Sequence, residues 1–326
     1  MGDFMDEVFN KLTEIIKQYK NFIIMTHKDP DFDGMGSAIA LQQIIKSFKK
    51  ESYILVNRKE LDNSIQKAFS LLDEKNIYNS IISKSKVEEI IEDDTVLIIL
   101  DTYKTEMVEE SKLIDKIKNV VIIDHHIKSK NYIKDSIFNY INSNLSSIVE
   151  FICNYLKYLN KSIDSIVATF LQVGLEIDTN NFKLKTTDKT YEVAAFLTRM
   201  GADNILKQEL LQESMESYIV RSKLIEKSFM ISKNTAMCLA DEKIYKNQDL
   251  AFIAENLLQF ENVEASFVIG KLSENIVGIS ARSIGTINVE KIMSKLGGGG
   301  HTNEAAAQIK NKTILEVKEM IKEVIK

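Results

Sequence analysis

Hydrophobic and polar positions in the first 180 residues fall into blocks that predict a parallel α/β sheet. Continuous apolar runs of strand length lie at 21–27, 52–57, 95–102 and 119–126. Segments with apolar residues at helical spacing separate these runs. Strands that are apolar on both faces and alternate with helices are typical of a parallel sheet covered on both sides. The predicted helices lie at 37–50, 61–72, 85–92, 106–117, 145–159 and 162–177.

The remainder of the chain has a different pattern. A long helical segment at 202–228 is suited to connect two domains, and the shorter apolar stretches and helices after it predict a smaller α+β domain,. We therefore predict an N-terminal α/β domain at 1–190, a helical connector at 191–229 and an α+β domain at 230–326.

Composition and charge limit the class of protein. The chain has 326 residues, 27% charged and 44% hydrophobic, which is typical of a soluble globular protein,. Its apolar runs are far shorter than the roughly 20 residues that span a bilayer, and its acidic, amphipathic start does not resemble a signal peptide. We expect a cytoplasmic protein with no membrane segment, in which Cys153 and Cys238 are reduced, packed thiols,.

The net charge of -5 also bears on the partners. Long duplex nucleic acid is bound through many contacts between basic residues and phosphates, so an acidic chain is not expected to bind it over a broad surface. A small anionic ligand held by local positive charge remains compatible with the composition.

The stretch THKDPDFDGMGSA, residues 26–38, follows the first predicted strand and contains the only proline of the chain. Ligands of open α/β sheets bind beyond the carboxyl ends of the strands. Proline disfavours helix before it, so we expect a non-helical turn as far as Gly34 that presents His27, Asp31 and Asp33. Taken alone, the stretch is explained better by ordinary turn chemistry, with Asp33 or Ser37 capping the next helix.

Other strand ends change that balance. Asp101 ends the strand at 95–102, the IDHH sequence with Asp124, His125 and His126 ends the strand at 119–126, and Asp178 follows a further apolar segment. Three of the four histidines in the chain lie at predicted strand ends. This clustering favours a ligand-binding site over separate roles in the core or at the surface.

The chemistry of these side chains indicates a metal centre. Carboxylate oxygens together with imidazole nitrogens suit manganese, iron, cobalt or zinc better than magnesium, and the lack of cysteine ligands disfavours a structural zinc site. Four carboxylates would offset the charge of two divalent cations. Because such a pair can orient a phosphate and lower the pKa of a bound water, the sequence predicts metal-assisted hydrolysis of a phosphoester or phosphoanhydride.

The stretches HKDPDFDGMGS, LDT, IDHH and GLEIDT resemble the four motifs of the DHH phosphoesterase superfamily. The resemblance implies two metal ions, most commonly Mn²⁺. It assigns His27 and Asp31 to one metal, Asp33, His125 and Asp178 to the other, and Asp101 to a bridging, catalytic position. It also implies that His126 faces the scissile phosphate as a catalytic residue and that Asp124 orients a neighbouring histidine.

The C-terminal half contains LGGGGHTNEAAAQ. Four glycines alone are typical of a linker or a helix C-cap, but the histidine and the predicted small-residue helix after them favour close approach to a ligand phosphate. With SARS, this segment resembles the DHH-associated domain. That resemblance places the active site in the cleft between the two domains. The implied substrate contacts are Ser280, Arg282, Gly298, Gly299, Gly300 and His301.

Arg282 is the candidate for a bidentate phosphate contact, with a surface salt bridge as the alternative,. Inorganic pyrophosphatases of the superfamily have a different C-terminal domain and are disfavoured.

Longer stretches, such as VEASFVIGKL and DTNNFKLKTTDKTYEVAAFL, are similar to the catalytic portion of GdpP-type cyclic di-AMP phosphodiesterases. The similarity implies Mn²⁺-dependent hydrolysis of cyclic di-AMP to linear pApA, and a homodimer is an expectation of the family. The membrane helices and the PAS and GGDEF domains of anchored members do not precede this unit, which predicts a stand-alone enzyme or an excised catalytic region.

Lys128 and Lys130 stand where those members carry two arginines, and their charge is less directional,. The alternative function is therefore a phosphodiesterase of linear dinucleotides or very short RNA, converting pApA to AMP. A non-catalytic nucleotide sensor would lack one of the motif residues, and none is missing.

Overall fold

The computed structural model describes four stretches of the chain, residues 2–58, 61–74, 80–127 and 132–325. The chain divides into two compact units, Met1–Gln212 and Glu213–Lys326, and each is described by itself. The domain boundaries after residues 190 and 229 stay predictions. In the part of the chain covered by these stretches, every helix is too short or too polar to cross a bilayer.

Unit 1 contains a six-stranded parallel sheet in the order β3-β2-β1-β4-β5-β6. The strands are β1 (Asn21–Met25), β2 (Glu51–Leu55), β3 (Ile81–Ile82), β4 (Thr95–Leu100), β5 (Asn119–Asp124) and β6 (Phe138–Ile141). β1 pairs with β2 on one side and with β4 on the other, so the strand order reverses between β1 and β4. This is the topological switch point at which open α/β sheets bind ligands.

Nine helices of unit 1 are seen among its described residues. They are α1 (Gly2–Gln18), α2 (Phe32–Ser47), α3 (Asn63–Glu74), α4 (Lys84–Ile90), α5 (Lys112–Lys116), α6 (Ile148–Leu159), α7 (Ser165–Asp178), α8 (Asp188–Arg199) and α9 (Asn204–Leu211). Side chains of the strands alternate between two cores. Ile24 and Ile98 pack in one core with residues of α1, α2, α6 and α7, while Ile99 packs in the other with Val87 and Leu113. The predicted α/β class is confirmed.

Several predicted element boundaries are wrong. α2 begins at Phe32, and not after Gly34, because proline restricts its own φ and the residue before it but leaves the following residues free to be helical,. Its N-cap is Asp31, whose side chain accepts a hydrogen bond from Gly34 N, so neither Asp33 nor Ser37 caps this helix. The helix predicted at 106–117 is reduced to α5, and the short strands β3 and β6 were not predicted.

The long helix predicted at 202–228 is two helices, α9 and α10 (Met215–Glu226). Gln212 has extended backbone angles, and the hydroxyl of Ser214 accepts a hydrogen bond from Ser217 N, which starts a new helix. The division between the two units falls at this break. A polar cap therefore interrupts what the apolar spacing indicated as continuous.

Unit 2 is built on a mixed sheet in the order β11-β12-β10-β9-β8-β7, which confirms the predicted α+β class. Its further elements are β7 (Phe229–Met230), β8 (Thr235–Ile244), α11 (Asn247–Leu257), β9 (Ala265–Ser273), β10 (Ile276–Ser283), α12 (Val289–Lys295), β11 (Gly299–Gly300), β12 (Glu304–Lys310) and α13 (Ile314–Ile325). β8 and β9 are parallel, and the other pairs are antiparallel.

The small-residue helix predicted after the four glycines is wrong, because EAAAQIK forms β12. It pairs antiparallel with β10, and Ala305 and Ala307 point into the core of unit 2. Pairing and burial decide the structure of this segment against the helix propensity of alanine. Cys153 and Cys238 are buried and unbridged, as predicted, and burial raises the pKa of both thiols.

Candidate metal centre

The turn after β1 is held by the segment at 107–109. Lys28 N donates to Met107 O at 2.7 Å, and Glu109 N donates to Thr26 O at 3.0 Å. Asp29 has a left-handed backbone, with φ of 52°, a conformation that aspartate tolerates better than most residues,. These bonds place the imidazole Nε2 of His27 beyond the end of β1, 3.9 Å from Asp31 Oδ1.

Asp33, in the first turn of α2, is fully buried and connects to a different helix. Its carboxylate accepts hydrogen bonds from Ile148 N at 2.9 Å and Val149 N at 2.8 Å, the first two residues of α6. Ser147, the N-cap of α6, makes no side-chain capping bond, so Asp33 takes that role across the fold. A carboxylate has about four lone-pair sites, so these bonds leave capacity for a further ligand.

Asp101 lies directly after β4 with a left-handed backbone, φ of 61°. Its Oδ2 is 3.4 Å from His27 Nε2, and its Oδ1 is 3.2 Å from His125 Nε2. A Cβ atom at Gly34 would lie 3.3 Å from Asp101 Oδ2, so the glycine makes room for the carboxylate. Asp101 therefore has one oxygen facing each histidine, as a bridging carboxylate requires.

The IDHH sequence turns two histidines in different directions at the end of β5. His125 Nε2 faces inward, 3.2 Å from Asp178 Oδ2 and 3.6 Å from Asp33 Oδ2. Asp124 is buried, and its Oδ1 lies 3.1 Å from His126 N and 2.8 Å from His126 Nδ1. The side chain of His126 is 44% exposed, so Asp124 orients an imidazole that a ligand can reach.

Asp178 is the last residue of α7, and Gly174 lies one turn before it on the same face,. A Cβ atom at Gly174 would lie 2.7 Å from Phe32 O and 2.8 Å from Asp33 N. The glycine thus lets α7 contact the start of α2 directly, which brings Asp178 to the buried carboxylate of Asp33. Sequence reasoning missed this role, although Gly174 is the glycine of the quoted GLEIDT motif.

The structure brings the predicted residues of unit 1 into three overlapping groups. In each group the candidate ligand atoms lie within 4.8 Å of one another. The groups are His27, Asp31 and Asp101; Asp33, His125 and Asp178; and Asp101, His125 and His126. The mixed oxygen and imidazole donors fit divalent metal ions of the manganese to zinc range. Asp101 belongs to the group with His27 and Asp31 and also to the group with His125 and His126, because its two oxygens face His27 and His125.

The electrostatics of this cluster also fit a cation. Burial and the neighbouring Asp101 carboxylate raise the pKa of Asp33 to about 7, and burial and Asp33 raise the pKa of Asp178 well above its usual value. Burial acts against protonated histidine, but contact with Asp101 outweighs it and raises the pKa of His125 to about 9. Carboxylates buried this close together repel one another, and a divalent cation removes that repulsion.

A cavity of about 890 Å³ adjoins the turn after β1. Lys28, Asp29 and Pro30 line it from the turn, and Val56 and Asn57 line it from beyond β2. Its volume is within the range of roughly 300 to 1,000 Å³ that is usual for small-molecule sites. The carboxyl edge of the sheet therefore has room for a ligand beside the metal cluster.

The predicted substrate contacts lie in unit 2. Ser280 is buried on β10, opposite Ala306 of β12. Arg282 Nε lies 3.5 Å from Glu255 Oε2, so the salt-bridge alternative is present in the structure. Arg282 Nη1 also donates to Ala281 O at 3.0 Å.

Three of the four glycines, Gly297, Gly298 and Gly300, have local structural reasons. Gly297 has a φ of 77° and ends α12 with its N–H bonded to Ser294 O, while Gly298 N bonds to Met293 O, as in a Schellman motif,. Cβ atoms at Gly298 and Gly300 would collide with the backbone of β12, and one at Gly299 would have no atom within 4 Å. The C-cap alternative is confirmed for Gly297, and the linker alternative is wrong.

His301 follows these glycines, and its N–H donates to Glu304 O at 2.5 Å. The hydrogen bond closes the turn between β11 and β12. Lys128 and Lys130 lie outside the described residues.

Two family models match the chain. Residues 21–175 match the N-terminal domain of the DHH family, and residues 231–326 match the DHHA1 domain. The first match contains most of the metal cluster, and the second contains all the predicted substrate contacts. The chain therefore contains an N-terminal domain of the DHH family followed by a DHHA1 domain.

Curated relatives agree with this assignment. The chain is 35% identical over 324 residues to the cyclic-di-AMP phosphodiesterase GdpP of Bacillus subtilis, covering 98% of this chain and 49% of the relative. It therefore spans about half the length of that protein. It is also 26% identical to the bifunctional oligoribonuclease and PAP phosphatase NrnA of Mycoplasma genitalium, over 91% of each chain.

Solved structures show the same fold at low sequence identity. An exopolyphosphatase-related protein from Bacteroides fragilis matches with a TM-score of 0.80 and 18% identity, over 98% of this chain and 95% of the other. RecJ from Thermus thermophilus in complex with Mn²⁺ matches with a TM-score of 0.57 and 12% identity, over 98% of this chain and 54% of the other.

Proposed function

We propose that the protein is a metal-dependent phosphodiesterase that hydrolyses cyclic di-AMP to linear pApA. The observation that carries the proposal is that two ligand groups lie together at the switch point of the sheet: His27 with Asp31 and Asp101, and Asp33 with His125 and Asp178. Asp101 Oδ1 lies 3.2 Å from His125 Nε2, so Asp101 connects the first group to the second. The similarity to GdpP over nearly the whole chain supports cyclic di-AMP as the substrate.

The proposed ligands of the first metal are His27, Asp31 and Asp101, and those of the second are Asp33, His125, Asp178 and the shared Asp101. Two divalent ions, with Mn²⁺ as the proposed species, would supply Lewis-acid activation of a phosphate and a water of lowered pKa. The complex of RecJ with Mn²⁺, which has the same fold, supports this choice of metal. Asp101 would be a ligand of both ions, and its proposed catalytic role is to hold them together.

His126 is the proposed acid beside the scissile phosphate. Asp124 accepts a hydrogen bond from Nδ1 of His126, which leaves Nε2 as the atom that holds or donates the proton,. The exposed imidazole can then protonate the leaving oxygen or stabilise the charge that develops on the phosphate. Asp124 is a positioning residue, since it acts through the histidine.

Substrate contacts in unit 2 are proposed for Ser280, Arg282, Gly298, Gly299, Gly300 and His301, and the DHHA1 match supports this assignment. Arg282 would exchange its ion pair with Glu255 for a phosphate. A guanidinium can bind two phosphate oxygens at once, so the exchange is chemically reasonable.

A second function is supported by a specific observation. The similarity to NrnA covers 91% of both chains, whereas the chain spans about half of GdpP. Hydrolysis of linear dinucleotides or nanoRNA, with pApA converted to AMP, is therefore the alternative. A non-catalytic sensor is disfavoured because the full set of proposed ligands lies together.

The deciding experiment is a time course with purified protein and Mn²⁺, offering cyclic di-AMP and pApA separately and in competition. Chromatography resolves cyclic di-AMP, pApA and AMP. Accumulation of pApA from rapidly consumed cyclic di-AMP supports the first function. Preferential conversion of pApA to AMP supports the alternative, and no hydrolysis of either substrate contradicts both.

A further inference from the structure

The segment after α7 has an unusual backbone. Four of its non-glycine residues have left-handed φ angles: Asn180 at 46°, Asn181 at 54°, Phe182 at 62° and Lys185 at 49°. Such conformations are sparsely populated and persist where the surrounding structure holds them.

Hydrogen bonds hold this backbone in one arrangement. Phe182 N donates to the hydroxyl of Thr179 at 3.1 Å, and Lys183 N and Leu184 N both donate to Thr179 O at 2.9 Å. Asn181 N donates to Glu176 O at 2.7 Å, which ties the turn to α7. The side chains of this segment are therefore presented from a rigid support.

Two lysines and two stacked aromatic rings are presented. The rings of Phe182 and Tyr191 are 5.4 Å apart with an interplanar angle of 18°. Phe182 packs against the core of unit 1, whereas Tyr191 is 56% exposed. Lys183 and Lys185 are exposed and have no carboxylate within ion-pair distance among the described residues.

These side chains line a cavity of about 470 Å³. Its other walls are formed by residues before α6 and at the start of α8, namely Ser143, Asn144, Thr186 and Thr187. Hydroxyl and amide groups at the rim supply neutral hydrogen-bonding partners. The cavity thus combines an aromatic surface, positive charge and polar groups.

The segment that lines this cavity follows α7 directly, and α7 ends at Asp178, one of the proposed metal ligands. Sites that bind single-stranded nucleotides usually combine exposed aromatic rings with lysine or arginine side chains, because bases stack on the rings and phosphates pair with the cations.

We propose that the segment 180–191 is a nucleoside subsite for the dinucleotide, in which a base stacks on Tyr191 and the adjoining phosphate contacts Lys185. The inference rests on the proposed function and names a further specificity-determining site for it. Since stacking strength is greater for purines, the subsite favours purine over pyrimidine dinucleotides.

The first test reports binding without hydrolysis. The chain contains no tryptophan, so Tyr191→Trp introduces a single tryptophan at the subsite, whose emission can be excited selectively over that of the tyrosines. AMP is titrated into this variant in the presence of Mg²⁺, with ribose 5-phosphate as the probe that lacks a base. The matched control is Tyr218→Trp, because Tyr218 is also 56% exposed on a helix.

Saturable quenching by AMP in Tyr191→Trp alone, with no response to ribose 5-phosphate, is the expected result. No response in Tyr191→Trp, or the same response in Tyr218→Trp, overturns the subsite whether or not the protein hydrolyses dinucleotides.

The second test uses steady-state kinetics on whichever dinucleotide the wild type hydrolyses. Loss of one stacked base predicts a KM raised about tenfold in Tyr191→Ala, with kcat little changed and Tyr191→Phe close to wild type. Lys185→Ala is expected to raise KM by a similar factor and to make KM less dependent on salt concentration. Lys20 is also exposed, and Lys20→Ala is the control that should change neither KM nor its salt dependence.

The outcomes separate the two claims. An active wild type with an unchanged KM in Tyr191→Ala and Lys185→Ala contradicts the subsite and leaves the proposed function standing. A wild type inactive on both dinucleotides contradicts the proposed function, and the AMP titration then decides the subsite alone.

Discussion

The candidate metal ligands of unit 1 and the glycine segment of unit 2 differ in whether local backbone structure accounts for their residue types. In unit 1, His27, Asp101 and His125 come from three separate strand ends, and no single turn or cap among the described residues contains all three. In unit 2, Gly297 ends α12, and Gly298 and Gly300 leave room for the backbone of β12. Polar side chains that converge without a local structural reason therefore support a site more strongly than glycines that have one.

The largest expected effect is at Asp101. Asp101→Asn keeps the shape of the side chain and removes the charge that both ligand groups share, so hydrolysis should fall about 1,000-fold or more. Initial rates at saturating Mn²⁺ measure the loss, and an unchanged circular dichroism melt shows that the fold is intact. Activity within tenfold of wild type contradicts the bridging role of Asp101.

Gly174→Ala tests whether the approach of α7 to α2 sets the metal centre. The added methyl would lie 2.7 Å from Phe32 O and displace α7, so kcat should fall about 100-fold, as expected for a shift of about 1 Å at a reacting centre,. The affinity for Mn²⁺, measured from the electron paramagnetic resonance of the free ion, should weaken as well.

Gly36→Ala is the matched control for this change. Its methyl would lie 3.3 Å from the backbone of Phe170, in the same helix pair but away from the Asp178 end of α7. It should affect stability more than Mn²⁺ affinity. Equal loss of Mn²⁺ affinity in both variants means that general packing, and not the position of Asp178, is responsible.

Arg282 separates a phosphate contact from a surface ion pair. If it binds phosphate, Arg282→Ala should raise KM about tenfold or more, since a charged hydrogen bond is worth about 1.5 to 3 kcal/mol. Glu255→Gln, which frees the arginine from its partner, should leave KM unchanged or lower it. If both variants have the KM of the wild type and differ from it only slightly in thermal stability, Arg282 forms the ion pair with Glu255 and does not bind the substrate.

The smallest expected effects are on the free energy of unfolding, at the neighbouring residues Gly298 and Gly299. Gly298→Ala should lower the free energy of unfolding by about 1 to 3 kcal/mol, because its methyl would collide with β12,. Gly299→Ala should change it by less than about 0.5 kcal/mol, because no atom lies within 4 Å of its methyl,. Urea unfolding measures both.

Gly299 is therefore the clean probe of the glycine segment. A raised KM in Gly299→Ala at unchanged stability indicates that substrate approaches this backbone. Wild-type kinetics in that variant leave only the structural reasons for the glycines.

Much of unit 1 was predictable because its signals are local. Four of its six strands were predicted from continuous apolar runs, and the candidate ligands were recognised because histidine and aspartate follow those strands. The C-terminal class was also predicted. β3, only two residues long, carries too short a pattern to detect.

The misses have a common cause in contacts between distant segments. EAAAQIK is a strand because β10 lies beside it, and the sequence of the segment itself favours a helix,. Asp33 caps α6, which begins 115 residues later, and no spacing rule connects the two. Gly174 is required by a backbone that lies more than 140 residues before it.

The sequence by itself determined the fold class and the chemical identity of the candidate metal ligands, because apolar periodicity and side-chain type are properties of short segments. Only the tertiary structure decided which carboxylate lies between the two histidines and which helix Asp33 caps. It also decided that the ring of Tyr191 lines one cavity with Lys183 and Lys185, two lysines that make no ion pair with any residue the structure describes. Those facts depend on which segments pack together, and packing is a property of the whole chain.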